Sequence, residues 1–246
     1  MKVIITMAGQ GSRFTKQGYQ QPKHEIMAGE HSLFAWAMHS LKDFFDETFL
    51  FVVRAGSYSP EYLIEEIIRL GIKSYDICVL DHPTAGQAAT VMAVAEEIDP
   101  EDEIMIYNID TTIKPRYLLK EKVTQGDGCI PLFQAEGTHW SFAKMDNKTS
   151  VITEVAEKRP ISNWGSVGLY YFKRWQDFQE AYEAEAESIK QEYGEVYIAP
   201  LYNYLIRQGK VIKPVFLPKN SYASLGTPEE LTEFIQKKIN RFEGDW

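Results

Sequence analysis

Glycines and cationic residues gather just behind the first apolar run of the chain, in Ala8-Gly9-Gln10-Gly11-Ser12-Arg13-Phe14 and then Pro22-Lys23. Glycines in such a bend let successive backbone N–H groups approach an anion, and Ala8, Gly9, Gly11 and Ser12 would line that nest. Arg13 can fork onto phosphate oxygens, and Lys23 adds a compact positive charge. The chemistry this favours is polyphosphate binding. Phe14 stands where a dinucleotide-binding GxGxxG would place its third glycine, and the sequence has no GxxxxGK[ST] loop, so neither of those phosphate motifs applies. A plain glycine turn beside two solvated cations is the competing reading.

A carboxylate closes a second apolar run, Glu103-Ile-Met-Ile-Tyr-Asn-Ile-Asp110. At the end of a buried strand Asp110 is placed to hold Mg²⁺, a hard cation that takes carboxylate oxygens, water and substrate phosphates. The alternative is a helix N-cap, which Thr111 and Pro115 would suit. In Pro83-Thr84-Ala85-Gly86-Gln87-Ala88-Ala89 a glycine opens a run of small residues. A flat base could lie against the Gly86 backbone while Gln87 offers it a donor and an acceptor, although a turn before a packed helix reads equally well. Glu157-Lys158 ends a later strand-like run, Gly165-Ser166-Val167-Gly168 opens the next, and Glu195 heads a helix-like VYIAPLYN. Lys158 suits the phosphate of an acceptor molecule and Glu157 or Glu195 its polar groups, with Gly168 beside them; solvated charges at element ends are the alternative. No catalytic triad appears, and the five histidines lack metal-ligand spacing.

These residues must be held by the elements around them. Short apolar runs (VIITMA, FLFVV, DICVL, EIMIYNID) alternate with amphipathic stretches (SLFAWAMHSLKDF, PEYLIEEIIRL, GQAATVMAVAEEI). That alternation predicts βαβ units and a parallel sheet, with ligands outside the carboxyl ends of the strands. After about residue 126 strand-like segments follow one another (GCIPLF, HWSFAKM, SVITEVA, SVGLYYF) before helices return at WQDFQEAYEAEAESIKQ and YIAPLYNYLIRQG. The shift predicts a smaller, more antiparallel lobe. With no Pro-, Gly- or Ser-rich linker between them, residues 1–125 and 126–246 are expected to form one domain. TPEELTEFIQKKINRF reads as a closing helix with Thr227 as N-cap and Pro228 at its first position.

Composition sets outer bounds. At 246 residues the chain can bury a large α/β core. A formal net charge of −9 argues against nucleic acid as partner, because backbone affinity needs clustered cations. Cys78 and Cys129 lie far apart in apolar runs, as buried thiols in a reducing cytoplasm would. No run reaches transmembrane length, so no membrane partner is expected; a homo-oligomer is compatible with the sequence.

The GxGSRF…PK signature, Asp110 and the Gly86 bend together resemble the sugar-phosphate nucleotidyltransferases. That resemblance extends along nearly the whole chain. It implies a GT-A-like fold, a Rossmann-like mixed and mainly parallel sheet flanked by helices, with an acceptor-binding lobe. It implies a reaction between an NTP and a small phosphorylated acceptor that releases pyrophosphate. Arg13 and Lys23 would bind phosphates, Asp110 would bind the Mg²⁺ cofactor, Gly86 and Gln87 would contact the base, and Glu157, Lys158 and Pro160 would hold the acceptor. One departure stands out: the late W-x-D-x-GT segment of the family corresponds to Tyr222-Ala223-Ser224-Leu225-Gly226-Thr227, so Ser224 replaces an acid that often completes the metal site. The segments Ser141 to Lys144 and Glu195 to Asn203 are similar to a capsule-polysaccharide branch that includes cytidylyltransferases acting on non-sugar phosphates such as phosphocholine or phosphoglutamine. A glycosyltransferase using a ready nucleotide-sugar, or a non-catalytic nucleotide-binding protein, are the rival functions; neither makes pyrophosphate from NTP and acceptor.

Overall fold

The computed structural model describes residues 1–9 and 11–246, which leaves Gln10 of the glycine motif outside it. The described residues form two compact units, each assembled from separated stretches of chain. One comprises Met1–Ile4, Thr84–Tyr107 and Lys120–Lys219; the other comprises Ile5–Pro83, Asn108–Leu119 and Asn220–Trp246. The first strand, Lys2–Thr6, begins in the one and ends in the other. Strands and helices mix in both, as the α/β pattern anticipates.

In the first unit the strands run in the order Ile152–Glu157, Ser141–Met145, Trp164–Ser166, Gly128–Gln134, Leu169–Phe172 and Ile104–Asn108. Neighbours along that path are antiparallel, and Ile212–Phe216 joins Gly128–Gln134 in parallel. The run SVGLYYF, expected as one strand, is broken at Gly168, whose φ of 89° turns the chain between Ser166 and Leu169. The helix Trp175–Tyr193 ends at Gly194, whose φ of 82° is the left-handed stop that glycine adopts without penalty. Aromatic packing holds the helix Tyr202–Arg207 to this sheet: the Tyr202 ring stacks on Phe172 at 4.4 Å, and its hydroxyl donates to the Tyr171 carbonyl at 2.7 Å. The next residue, Asn203, takes both backbone groups of Val155 with its side chain, accepting at 2.9 Å and donating at 2.7 Å. That strand therefore cannot slide, and Glu157 is fixed at its end.

In the second unit Thr48–Arg54 and Ser74–Leu80 pair in parallel, joined by the helix Pro60–Leu70. The strand Thr48–Arg54 is buried through Phe49 to Val53, as a two-sided parallel strand should be. A separate core packs Phe14 and Trp36 against Leu225, Leu231, Phe234 and Phe242 from the last segment of the chain. The Trp246 ring lies between two imidazoles, stacked on His31 at 3.6 Å and on His39 at 4.2 Å. Asp245 beside it pairs with Lys114 and Arg116, each at 2.8 Å. The closing helix starts at Pro228 behind Thr227, as the sequence predicts, but runs as Pro228–Glu233, a π turn over Phe234–Lys238 and a last turn Asn240–Glu243. Among the described residues no helix is long and apolar enough to cross a membrane.

Candidate functional site

The glycine bend is built by Gly11, which at φ 59° caps the short helix Ser12–Lys16; its carbonyl accepts from the Phe14 N–H at 3.0 Å. Phe14 is sunk in the core while Ser12 and Arg13 stay exposed, so burial of the one aromatic ring aims its cationic neighbour outward. Lys23 begins a single 3₁₀ turn anchored by the buried His24 behind it. Its stem passes Gly11 closely, a Cβ at Gly11 falling 3.7 Å from the Lys23 Cβ.

Asp110 leaves the sheet two residues after the strand Ile104–Asn108, with its N–H donating to the Asn108 side chain at 3.1 Å. Asp110 caps no helix: Thr111–Ile113 is a strand, paired antiparallel with Tyr222–Ser224, and the 3₁₀ turn Pro115–Tyr117 beyond it is headed by Lys114. The Lys23 ammonium donates to Asp110 Oδ1 at 2.5 Å across 87 positions of sequence. Lys23 is mostly covered and the Asp110 carboxylate is 42% exposed, so the acid remains open to an incoming ligand.

Ser224 sits opposite Thr111 in that small sheet, and the Leu225 N–H donates to the Asp110 carbonyl. These contacts bring the Ser224 segment alongside Asp110. What sequence reasoning missed is Gly226. A Cβ there would lie 3.2 Å from Glu230 Oε2, 3.5 Å from Asp110 Oδ2 and 3.8 Å from Arg13 Nη1, so three charged side chains converge on one bare backbone position. Glu230 in turn accepts from the Gly226 and Thr227 N–H groups at 2.9 and 3.0 Å. The Thr227-x-x-Glu230 capping box signals the place of Glu230 in sequence, but not the approach of Asp110 and Arg13 to the glycine.

The remaining candidates lie in the first unit. Gly86, at φ 135°, presses against the Val196 backbone, where a Cβ would fall 2.6 Å from the nitrogen. Thr84 and Thr90 both donate to the Gly86 carbonyl at 3.2 Å, and Gln87 opens the helix Gln87–Met92. Glu157 is buried at the end of its strand, receives a short hydrogen bond from the Ser141 hydroxyl, and has its pKa raised by desolvation. Tyr170, beyond the Gly168 turn, faces the same carboxyl and is pushed up to about 12 by burial. Lys158 is exposed and donates to the Tyr197 hydroxyl at 2.6 Å, the chief cause of its raised pKa. Glu195 is exposed and close enough to raise Glu157 electrostatically. It does not head a helix as expected; the first turn begins at Ala199, because both backbone groups of Val196 are taken by Ala85 and Ala88.

Among the described residues no three His, Cys, Asp or Glu side chains gather into a metal cage. A single open carboxylate beside a lysine is the donor set for a hard ion that arrives with phosphates and keeps its waters, which fits Mg²⁺ better than a metal needing a full protein shell.

No family model and no curated protein matches the chain. Among solved structures it is similar to a nucleoside-diphosphate-sugar pyrophosphorylase from Vibrio cholerae RC9, at 37% identity and TM-score 0.88, covering 96% of this chain and 100% of that one. A putative glucose-1-phosphate thymidylyltransferase from Bacillus anthracis shares the fold at 18% identity and TM-score 0.76, over 95% of this chain and 93% of that one. So does an inositol-1-phosphate CTP transferase from T. maritima, at 15% identity and TM-score 0.73, over 99% and 95%.

Proposed function

Since the chain belongs to the nucleoside-diphosphate-sugar pyrophosphorylases of the sugar-phosphate nucleotidyltransferase superfamily, we propose that it transfers a nucleoside monophosphate from an NTP to a small phosphorylated acceptor. Pyrophosphate is released. The nucleotide is CTP in preference to UTP or dTTP, and the acceptor is a sugar 1-phosphate or a non-sugar phosphate such as phosphoglutamine or phosphocholine. The product serves capsule or surface polysaccharide synthesis in the cytoplasm. The observation that carries the reading is the approach of Arg13 and Asp110 to Gly226, with Lys23 paired to Asp110, which sets two cations around one open carboxylate behind a glycine bend while Glu230 caps the backbone beside them.

The chemistry needs charge control more than proton transfer. A phosphate monoester, with a second pKa of about 6, is already largely dianionic near neutral pH, so no general base is required. The obstacle is repulsion between two anions, which positioned cations relieve. Asp110 would hold Mg²⁺, which when bound neutralises triphosphate charge. Arg13 faces the departing pyrophosphate, and Lys23, freed from Asp110, bridges nucleophile and α-phosphate. Ala8, Gly9, Gly11 and Ser12 offer backbone N–H groups to the phosphates. Gly86 and Gln87 take the base; Glu157, Lys158, Gly168 and Glu195 take the acceptor.

The test is a melting panel with CTP, UTP, dTTP, ATP and GTP plus Mg²⁺, followed by pyrophosphate assays of the stabilising nucleotide with hexose 1-phosphates, phosphocholine and phosphorylated amino-acid derivatives. A nucleotide at a hundred times its Kd adds about 2.7 kcal/mol of stability. A chain whose melting responds to no nucleotide is not a nucleotidyltransferase.

A further inference from the structure

Tyr197 belongs to none of the roles above, yet it is the residue that holds Lys158. Lys158 has a φ of 53°, a left-handed conformation unusual for a residue with a Cβ, and its N–H is tied to the Trp140 carbonyl at 2.9 Å. A strained backbone fixes where this side chain starts. Its end is fixed by Tyr197, whose hydroxyl accepts from the ammonium at 2.6 Å and whose ring centroid lies 4.6 Å from the same nitrogen. Tyr193 packs edge-on against that ring at 6.3 Å. Glu157 and Glu195 are near enough to act electrostatically, but the ammonium is hydrogen-bonded to a phenol hydroxyl instead. A lysine neutralised by a carboxylate would have to break an ion pair to meet a phosphate; one resting on a phenol keeps its charge available.

The residue before Tyr197 is stitched to the Gly86 loop. The Val196 N–H donates to the Ala85 carbonyl at 2.8 Å, and the Val196 carbonyl accepts from the Ala88 N–H at 3.0 Å. The missing side chain of Gly86 makes this contact possible, since a Cβ would fall 2.8 Å from the Val196 oxygen. Two adjacent residues therefore serve different places: Val196 is locked to the loop assigned to the base, and Tyr197 to the ammonium assigned to the acceptor.

We propose that Tyr197 is the positioning residue for Lys158, and that the Val196 backbone couples it to the Gly86 loop, so that nucleotide binding sets the lysine for the acceptor phosphate. The coupling rests on the function proposed above; the Tyr197 contact does not. Two measurements separate them. Limited acylation of the chain, read at Lys158 by peptide mass spectrometry, should be slow in the native protein and rise about tenfold in Tyr197→Phe, which loses a hydrogen bond to a charged group. Saturating nucleotide with Mg²⁺, using whichever nucleotide raises the melting temperature, should alter Lys158 labelling in the native protein and leave it unchanged in Tyr197→Phe. With a turnover-competent acceptor, the same variant should raise the acceptor KM about tenfold and keep kcat and nucleotide KM near native values. Equal labelling of Lys158 with and without the phenol hydroxyl overturns the positioning role. Nucleotide-independent labelling in a native protein that binds nucleotide overturns the coupling alone, and a chain that binds no nucleotide loses the coupling together with the proposed function.

Discussion

Lys23 and Asp110 form an ion pair that a metal-bound nucleotide would have to reorganise. The carboxylate is open on one side, so the pair holds two opposite charges ready without burying either in an uncompensated state. Asp110→Asn keeps the shape and the Asn108 turn but takes the counter-charge from the mostly covered Lys23, so the fold should persist with a lowered melting temperature while turnover at a temperature well below it falls at least about a hundredfold, about 2.7 kcal/mol of transition-state stabilisation. Native turnover in that variant would remove Asp110 from the reaction. Arg13 and Asp110 were legible in sequence as candidates because each comes shortly after an apolar run that reads as a strand, and Lys23 because it completes the Pro-Lys pair behind the glycine bend. Gly226 was not: its importance lies in which side chains approach it, and nothing in a single chain of letters reports the approach of Arg13 from more than two hundred positions away. Tyr197 was hidden for the same reason, since its partner Lys158 lies 39 positions earlier, just past the end of the strand Ile152–Glu157.

The capping box at Thr227 links an element's stability to the position of the charged residues. Thr227 accepts from the Glu230 N–H at 3.2 Å, and Glu230 reaches back to the backbone beside Asp110. Thr227→Ala should cost about 1 kcal/mol, seen as a lower denaturant midpoint at unchanged slope, and Thr227→Ser should restore most of it. Element types were readable wherever periodicity and caps agreed, as in Pro60–Leu70 and Trp175–Tyr193. They were not readable where tertiary contacts took the backbone. The Glu195 segment has helix-compatible residues, but Val196 donates its N–H to the Ala85 carbonyl and accepts from the Ala88 N–H. The run SVGLYYF has strand residues throughout, but a left-handed glycine splits it.

Across the whole molecule, buried imidazoles set the response to acid. Burial lowers His24 and His39 from the ordinary 6.5 to about 4, and lowers His31 as well. Between those values the unfolded chain binds protons that the folded chain refuses, so stability is complete above about pH 6.5 and declines as pH falls towards about 4. Melting temperature should drop over that window, and His24→Gln combined with His39→Phe should flatten the decline; an equal slope in the double variant would mean other groups are responsible. The pattern change near residue 126 was visible in sequence as the onset of successive strands. The grouping of Thr84–Tyr107 with the later strands was not, because it depends on which strands pair and not on their type.

Neither unit is continuous along the chain, and that has a consequence for biosynthesis. Phe14 and Trp36 emerge early from a ribosome, while Leu225, Leu231, Phe234 and Phe242, which cover them, emerge last. The nascent polypeptide must therefore carry a bare aromatic surface through most of its translation, and a transcript truncated ahead of Asn220 would encode a product that can never close it.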